Sequence, residues 1–204
     1  VEADIADAAS VAAMTERVVA EFGGIDILVN NAGGAHPGTF ATLTDEVWQS
    51  DLDVKLFSMI RCSREALPHL RAAGRGRIIN INAVHAKSPD YRFFATSTNR
   101  AACLAFTKSL AQEVAGDNIL VNAVNIGFVV TPQWKNIHER RAPELSEDEF
   151  FDGLAQAEIP LRRFGKDTEV AAAVRAAPGA DLAWLYPSPM ARRLASSSAS
   201  VSCR

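Results

Sequence analysis

The amino-acid sequence predicts an α/β protein built on a doubly wound parallel sheet, with helices covering both faces. Three short apolar runs, of the kind that lie buried on both faces, are separated by longer segments of helical period. The connections are mostly about two to six residues long, as in units where a helix crosses between two parallel strands. With 204 residues, the chain suits one domain with a sizeable core.

The first third of the chain predicts a helix, a strand and a glycine-rich loop. SVAAMTERVVAEFGG has apolar residues at close to helical spacing, and Gly23 is a typical C-terminal stop. IDILVN follows as a short strand, and residues 31–38 form a glycine-rich loop. Thr44 or Asp45 can cap the next helical region, which we expect to run to about residue 73.

The remaining segments continue this alternation. RIININ, residues 77–82, is the second predicted strand, and a helix is expected over about residues 96–115. Residues 118–127 form the third strand and its exit. Residues 131–151 are long, aromatic and charged, as in an excursion or lid, and TEVAAAVRAA is the last helix.

Composition and charge exclude several classes of function. The net charge of −3 and the pI near 5.8 give no reason to expect a nucleic-acid or anionic-membrane partner. The longest apolar runs are far shorter than the roughly 20 residues of a membrane span. Cys62, Cys103 and Cys203 are far apart, with no CxxC pair, which favours a reduced, cytoplasmic setting without a metal site or disulfide framework.

Five segments of the chain carry a resemblance: GGIDILVNNAG, GRIININ, RAACLAFTKSLAQEVA, NILVNAVNIGFVVT and LRRFGKDTEVAAAV. In order and spacing they resemble the short-chain dehydrogenase/reductase family, over about residues 1–175. The resemblance implies a Rossmann-like sheet that binds NAD(H) or NADP(H) across the carboxyl ends of its strands. It also implies hydride transfer between the nicotinamide and the alcohol or carbonyl carbon of a small-molecule substrate.

The resemblance also implies cofactor contacts at named positions. Asp4 matches an aspartate that meets the adenine ring; the alternative is a solvated helix-capping Asp. In the NNAG loop, Asn30 would brace the central strand, and the next three residues would let the backbone approach the ribose, unless the loop is an ordinary turn. Arg100 could hold a ribose hydroxyl or a phosphate. The expected cofactor-binding residues are Asp4, Asn31, Ala32, Gly33, Arg100, Gly127 and Thr131.

All four catalytic positions of the family are changed in this chain. Where the family has Asn, Ser, Tyr and Lys, this sequence has Lys55, Ala83, Thr96 and Arg100. In the family, the Tyr exchanges the proton and the Lys lowers its pKa. A tyrosine hydroxyl has a pKa near 10, whereas an aliphatic hydroxyl lies nearer water's value of about 15.7. The gap corresponds to about 7 kcal/mol, so Thr96 keeps hydrogen bonding but not acidity.

The loop before this helix offers a replacement acid. Tyr91 is the best stand-in proton donor, and His85 has a suitable unperturbed pKa for acid–base chemistry. The alternative is a polar surface loop with an anchoring aromatic. Four residues of the 131–151 excursion would either line an apolar substrate pocket or simply pack the loop: Trp134, Ile137, Phe150 and Phe151.

Both ends depart from the family pattern. No Gly-rich turn precedes Asp4, so we expect the sheet to lack its first two βα units, about 60 residues. IDILVN would then be an unpaired apolar edge, an aggregation hazard unless a partner covers it. Residues 176–204 are expected to be an off-pattern, disordered tail, and the change at about Arg175 fits a fragment or a frameshifted reading frame.

Three functions stay open at this point. The resemblance favours an NAD(P)(H)-dependent oxidoreductase. The four changed positions favour an inactive relative that serves as a binding or oligomerisation module, or a truncated inactive fragment. Two predicted helices, about residues 51–73 and 96–115, correspond to those the family uses for dimer contact, which implies a homodimer or homotetramer. The sequence leaves the substrate and the choice between NAD and NADP open.

Overall fold

Three parallel strands form the sheet of the computed structural model, which describes residues 1–176 of the 204-residue chain. They are β1 (Ile27–Asn30), β2 (Arg77–Ala83) and β3 (Leu120–Ile126), in the order β1-β2-β3. Ile27 is level with Arg77, and Arg77 with Leu120. Because the strands run the same way, the loops that follow them meet at one edge of the sheet. The predicted parallel α/β sheet is confirmed.

Seven helices connect and cover these strands in the described residues. They are α1 (Ala8–Phe22), α2 (Asp45–Leu52), α3 (Ser58–Ala72), α4 (Phe94–Glu113), α5 (Pro132–Arg141), α6 (Glu147–Glu158) and α7 (Asp167–Ala176). A π-helical turn, Asp53–Phe57, joins α2 to α3, so that the predicted helix over this region is continuous but underwound in its middle. Short 3-10 turns follow β2 (Val84–Ala86) and α4 (Ala115–Asp117).

The helix ends follow from local chemistry. The Asp7 carboxylate accepts the backbone N–H groups of Ala9 and Ser10 and so caps α1. Gly23, with φ of 83°, ends the same helix in the left-handed conformation that favours glycine. The prediction for this helix and its stop is confirmed.

Residues 131–151, predicted as an excursion or lid, are largely helical, in α5 and the start of α6. Pro132 opens α5 because its missing N–H costs nothing in the first turn. Ser146 and Glu149 bond each other's backbone N–H groups in a capping box at the start of α6. The aromatic residues of this region obscured the helical period in the sequence.

The core lies on both faces of the sheet. On one face, α3 and α4 pack against β2 and β3 around Leu70, Ile78 and Val121. Full burial of a leucine or isoleucine stabilises the fold by roughly 1.5–3 kcal/mol each. On the other face, Val174 of α7 packs against Ile79 and Ile81. Helices therefore cover both faces, as expected for a doubly wound sheet.

The edge strand β1 is only partly covered in the described residues. Ile27 and Val29 point away from α3 and α4, and they are 49% and 42% exposed. The expectation that IDILVN forms an exposed apolar edge is thus confirmed for this part of the chain. No helix among residues 1–176 is long and apolar enough to cross a membrane. The tail expected over residues 176–204 begins at the last residue of α7 and otherwise lies outside the described residues.

Candidate active site

A buried carboxylate, Asp51, is the centre of the polar network at the carboxyl edge of the sheet. Lys55, one turn further along the chain, donates its ammonium to Oδ1 of Asp51. Nδ1 of His36 lies 2.7 Å from the same oxygen. Asn99 of α4 donates from Nδ2 to Oδ2 at 2.8 Å. One carboxylate thus ties α2 and its π turn to α4 and to the loop after β1.

Burial and charge act against each other within this network. The side chains of Asp51 and Lys55 are fully buried. Burial by itself would raise the pKa of Asp51, but the hydrogen bonds from Lys55, His36 and Asn99 hold that pKa below its usual value. Burial lowers the pKa of Lys55, and the contact with Asp51 offsets part of this effect. The carboxylate is therefore ionised at neutral pH.

Arg100 lies between β2 and the glycine-rich loop. Its Nη1 donates to the carbonyl of Ile81 at 2.8 Å, and a Cβ on Gly33 would stand 3.0 Å from its Nη2. Its Nε is buried and has no hydrogen-bond partner among residues 1–176. The same holds for Oδ1 of Asn82, whose amide donates to the Arg100 carbonyl. A buried polar group without a partner costs about 1–3 kcal/mol, so a polar ligand that formed hydrogen bonds with these two atoms would remove that cost.

Thr96 and Ala83 are the other two of the four residues that the sequence analysis matched to the family's catalytic positions. Thr96 is 4% exposed, and its hydroxyl accepts the backbone N–H of His36 at 3.4 Å. Ala83 is the last residue of β2 and carries no hydroxyl. The charges of Lys55 and Arg100 both interact electrostatically with the Asp51 carboxylate, and that of Arg100 also lowers the pKa of Lys55. The structure therefore brings all four positions to the same edge of the sheet.

Asn30 braces the strands, as the sequence suggested. Its amide donates to Oδ1 of Asn80 at 2.8 Å and to Ser63 Oγ at 3.3 Å. Asn80 in turn donates to Thr107 Oγ1 at 2.9 Å. This chain of side chains links β1, β2, α3 and α4, and it fixes the start of the loop that carries Gly33.

The other residues expected to bind the cofactor lie as follows. Asn31, Ala32 and Gly33 form the exposed start of the loop after β1. Gly127 follows β3, and Thr131 precedes α5 without making a capping hydrogen bond through its side chain. These five residues therefore follow the carboxyl ends of β1 and β3. The Asp4 carboxylate accepts the N–H of Ala6 and shapes the turn before α1, whose cap is Asp7.

Tyr91, expected as a stand-in acid, lies in the loop before α4 and is 72% exposed. Its neighbours Asp90 and Arg92 form an ion pair with each other. His85, the second suggestion, stacks on Phe93 with ring centroids 5.5 Å apart. The structure shows no contact of the Tyr91 ring with the Asp51 network, and its role as an acid stays a prediction.

A cleft of about 240 Å³ opens between the loop after β1 and α5. Ala35 and Pro37, on either side of His36, line it together with Phe93 at the start of α4. Ile137 also lines it, as expected for the excursion. The other three residues of that expectation, Trp134, Phe150 and Phe151, instead pack into an aromatic cluster with Phe128 and Phe164. Their rings are large and apolar, and they fill the space between α5 and α6.

Sequence reasoning missed three residues of this site: His36, Asp51 and Asn99. One signal was present, because an Asp four residues before a Lys on a helix places the two on one face. Nothing in the sequence connects His36 or Asn99 to Asp51, since they lie 15 and 48 residues away along the chain.

Comparison with known proteins agrees with this fold. The sequence profile of a family described as enoyl-(acyl carrier protein) reductase matches residues 1–177. A 3-oxoacyl-(acyl-carrier-protein) reductase of Staphylococcus aureus is 33% identical over 171 residues, which are 84% of this chain and 65% of the relative. The chain thus spans just under two thirds of the length of that relative.

Solved structures of a short-chain oxidoreductase are similar to this chain in sequence and fold. A short-chain oxidoreductase of Pseudomonas aeruginosa PAO1, described as containing an atypical catalytic center, is 37% identical in its apo form, with a TM-score of 0.80. That comparison covers 86% of this chain and 68% of the other. The NADPH-bound structure of the same description has a TM-score of 0.81 at 35% identity and covers 86% and 67% of the two chains. Sequence and structure together establish that this chain belongs to the short-chain dehydrogenase/reductase family.

Proposed function

We propose that this chain is part of an NAD(P)(H)-dependent oxidoreductase that reduces a small-molecule carbonyl, or oxidises the matching alcohol, at a rebuilt catalytic site. The observation that carries the proposal is Arg100, whose buried Nε, beside the glycine-rich loop, has no hydrogen-bond partner in the described part of the chain. Membership of the family supports nicotinamide chemistry in general, and an NADPH-bound neighbour with an atypical catalytic center supports it for a site of unusual composition.

The residues of the carboxyl edge fit a nicotinamide dinucleotide. Gly33 leaves room beside Arg100 that a Cβ would fill, and the guanidinium is suited to a ribose hydroxyl or a phosphate. Thr131 has a hydroxyl not used in capping α5 and suits the carboxamide. Asp4, Asn31, Ala32 and Gly127 stay in the proposed site as backbone or adenine contacts. When bound, the cofactor supplies or takes up the hydride.

The side chains of this site hold charge and orient the substrate. Lys55 and Arg100 together carry two positive charges against the single negative charge of Asp51. A net positive site favours an oxygen on which negative charge develops during reduction. Thr96 can donate a hydrogen bond to that oxygen, whereas Ala83 contributes space in place of the family's hydroxyl.

A second function is favoured by the loss of the four family residues: an inactive relative that binds the nucleotide or assembles without turnover.

Under either function we propose a homodimer or homotetramer, because α3 and α4 correspond to the helices that the family uses for assembly. We also propose a cytoplasmic location, which the buried free thiols of Cys62 and Cys103 support.

One experiment separates these functions. NADH and NADPH are titrated into the full-length protein, and panels of ketones, aldehydes and alcohols are then assayed with whichever nucleotide binds. Turnover supports the oxidoreductase, and binding without turnover supports the inactive relative. The absence of binding to either nucleotide contradicts both. Light scattering on the same sample reports the oligomeric state.

A further inference from the structure

We propose that His36 is the proton donor and acceptor of this site, acting through Nε2, with Asp51 as the residue that positions its ring. The proposal rests on the oxidoreductase function proposed above and identifies the group that replaces the family's tyrosine.

The first argument is the tautomer. An ionised carboxylate can only accept hydrogen bonds, so the nitrogen 2.7 Å from Asp51 Oδ1 must carry a proton. In the neutral ring, Nδ1–H then faces Asp51, and Nε2 is left as a basic nitrogen. No hydrogen bond occupies Nε2 within the described residues. A histidine whose one nitrogen is held by a carboxylate and whose other nitrogen is open is the arrangement that general acid–base chemistry requires.

The second argument is position. The backbone N–H of His36 bonds the hydroxyl of Thr96, which stands where the family has its tyrosine. The side chain of His36 is 41% exposed, in contrast to the fully buried Lys55 and Asp51. Its sequence neighbours Ala35 and Pro37 line the cleft beneath α5. His36 thus combines contact with the residue at the tyrosine position and partial exposure of its side chain to solvent, next to residues that line the cleft.

The third argument is that the neighbouring groups are less suited to the step. Arg100 keeps its proton at any ordinary pH, and a threonine hydroxyl is too weak an acid. Lys55 is enclosed and its ammonium is bound to Asp51. An imidazole ring can donate a proton from one nitrogen and accept one at the other, so His36 has the chemistry that both directions of the step need.

The step balances as follows. In reduction, the π bond of the substrate C=O breaks, and its carbon gains the hydride that NAD(P)H gives up on oxidation. The oxygen gains the proton that leaves Nε2 of doubly protonated His36, and the ring becomes the neutral Nδ1–H tautomer held by Asp51. In alcohol oxidation, the same nitrogen takes the proton back.

The test compares the full-length wild type with His36→Gln, and with His69→Gln as a matched control near the end of α3. Removal of a general acid lowers kcat by about 10²–10⁴-fold. We expect such a loss in His36→Gln, with NADPH affinity within about threefold of wild type, and no loss in His69→Gln. His36→Ala should regain turnover when imidazole is added, a rescue that a purely structural residue would not show.

A second readout does not depend on turnover. Nitrogen-15 NMR of the histidine rings, with His36 identified by its loss in His36→Gln, should show the Nδ1–H tautomer at high pH. The Nε2–H tautomer would overturn the proposal, as would wild-type kcat in His36→Gln, and in both cases the oxidoreductase function stands. A wild type that binds neither nucleotide and turns over no substrate removes both proposals together. Loss of kcat in Tyr91→Phe alone would assign the proton to Tyr91.

Discussion

Replacement of Asp51 by Asn should destabilise the protein strongly, because it leaves the buried ammonium of Lys55 without its anion. Removing one partner of a buried ion pair costs about 3–5 kcal/mol. The ordinary pKa of lysine supplies an upper bound of the same size. Lys55 can escape the penalty by losing its proton, which at pH 7 costs about 4.6 kcal/mol for a lysine of ordinary pKa near 10.4. We therefore expect a loss of about 3–5 kcal/mol in the free energy of unfolding.

A double-mutant cycle isolates the pair from its surroundings. Lys55→Met should cost less than Asp51→Asn, because Asp51 keeps its hydrogen bonds from His36 and Asn99. The double variant buries no charge at this point and should be more stable than Asp51→Asn alone. Urea denaturation of all four proteins measures the coupling, which we expect to be about 2 kcal/mol, within the usual range for contacting residues. Additivity within about 0.5 kcal/mol would refute the reasoning.

The Asp51–Lys55 pair also predicts how the free energy of unfolding depends on pH. The pKa of Lys55 is lowered in the folded protein, so between that pKa and about 10.4 the unfolded chain binds more protons than the folded one. Stability therefore rises with pH in this window. In Asp51→Asn the rise should begin at a lower pH and be larger in total, because Asp51 no longer favours the charged amine. The same onset and the same total rise in the two proteins would show that Lys55 is not the group that titrates.

Three further predictions follow from single positions. Gly33→Ala places a Cβ 3.0 Å from Arg100 Nη2 and should weaken NADPH binding by about tenfold (about 1.4 kcal/mol) in a fluorescence titration. The control Gly24→Ala, whose Cβ meets nothing within 4 Å, should bind NADPH as the wild type does. Equal affinities of the two variants would contradict the proposal that the nucleotide uses the room beside Gly33. Tyr91→Phe should leave kcat unchanged, since Tyr91 is 72% exposed. A large loss of kcat in this variant would show that Tyr91 is the acid. Leu70→Ala removes a fully buried side chain and should cost about 2–5 kcal/mol in urea denaturation; a loss below 1 kcal/mol would place Leu70 outside the core.

Much of the fold could be predicted from the sequence because its signals are local. The apolar strands and the helix that stops at Gly23 are each recorded within a few residues, and the structure contains them. The predicted helix over residues 96–115 is present but begins earlier, at Phe94, since the preceding loop closes against Gly38 through backbone hydrogen bonds. Such contacts join distant segments and leave no local pattern.

The candidate site divides in the same way. By itself the sequence determined that a glycine-rich loop precedes Lys55, Ala83, Thr96 and Arg100, and it predicted that these four stand at catalytic positions of the family. It also determined the cost of exchanging a phenol for an aliphatic hydroxyl, which is a property of the groups. Only the tertiary structure decided that Asp51 is the anion of the site and that His36 and Asn99 bind it. The physical reason is that hydrogen-bond partners are chosen by distance in space, and parallel strands bring together residues far apart in the chain.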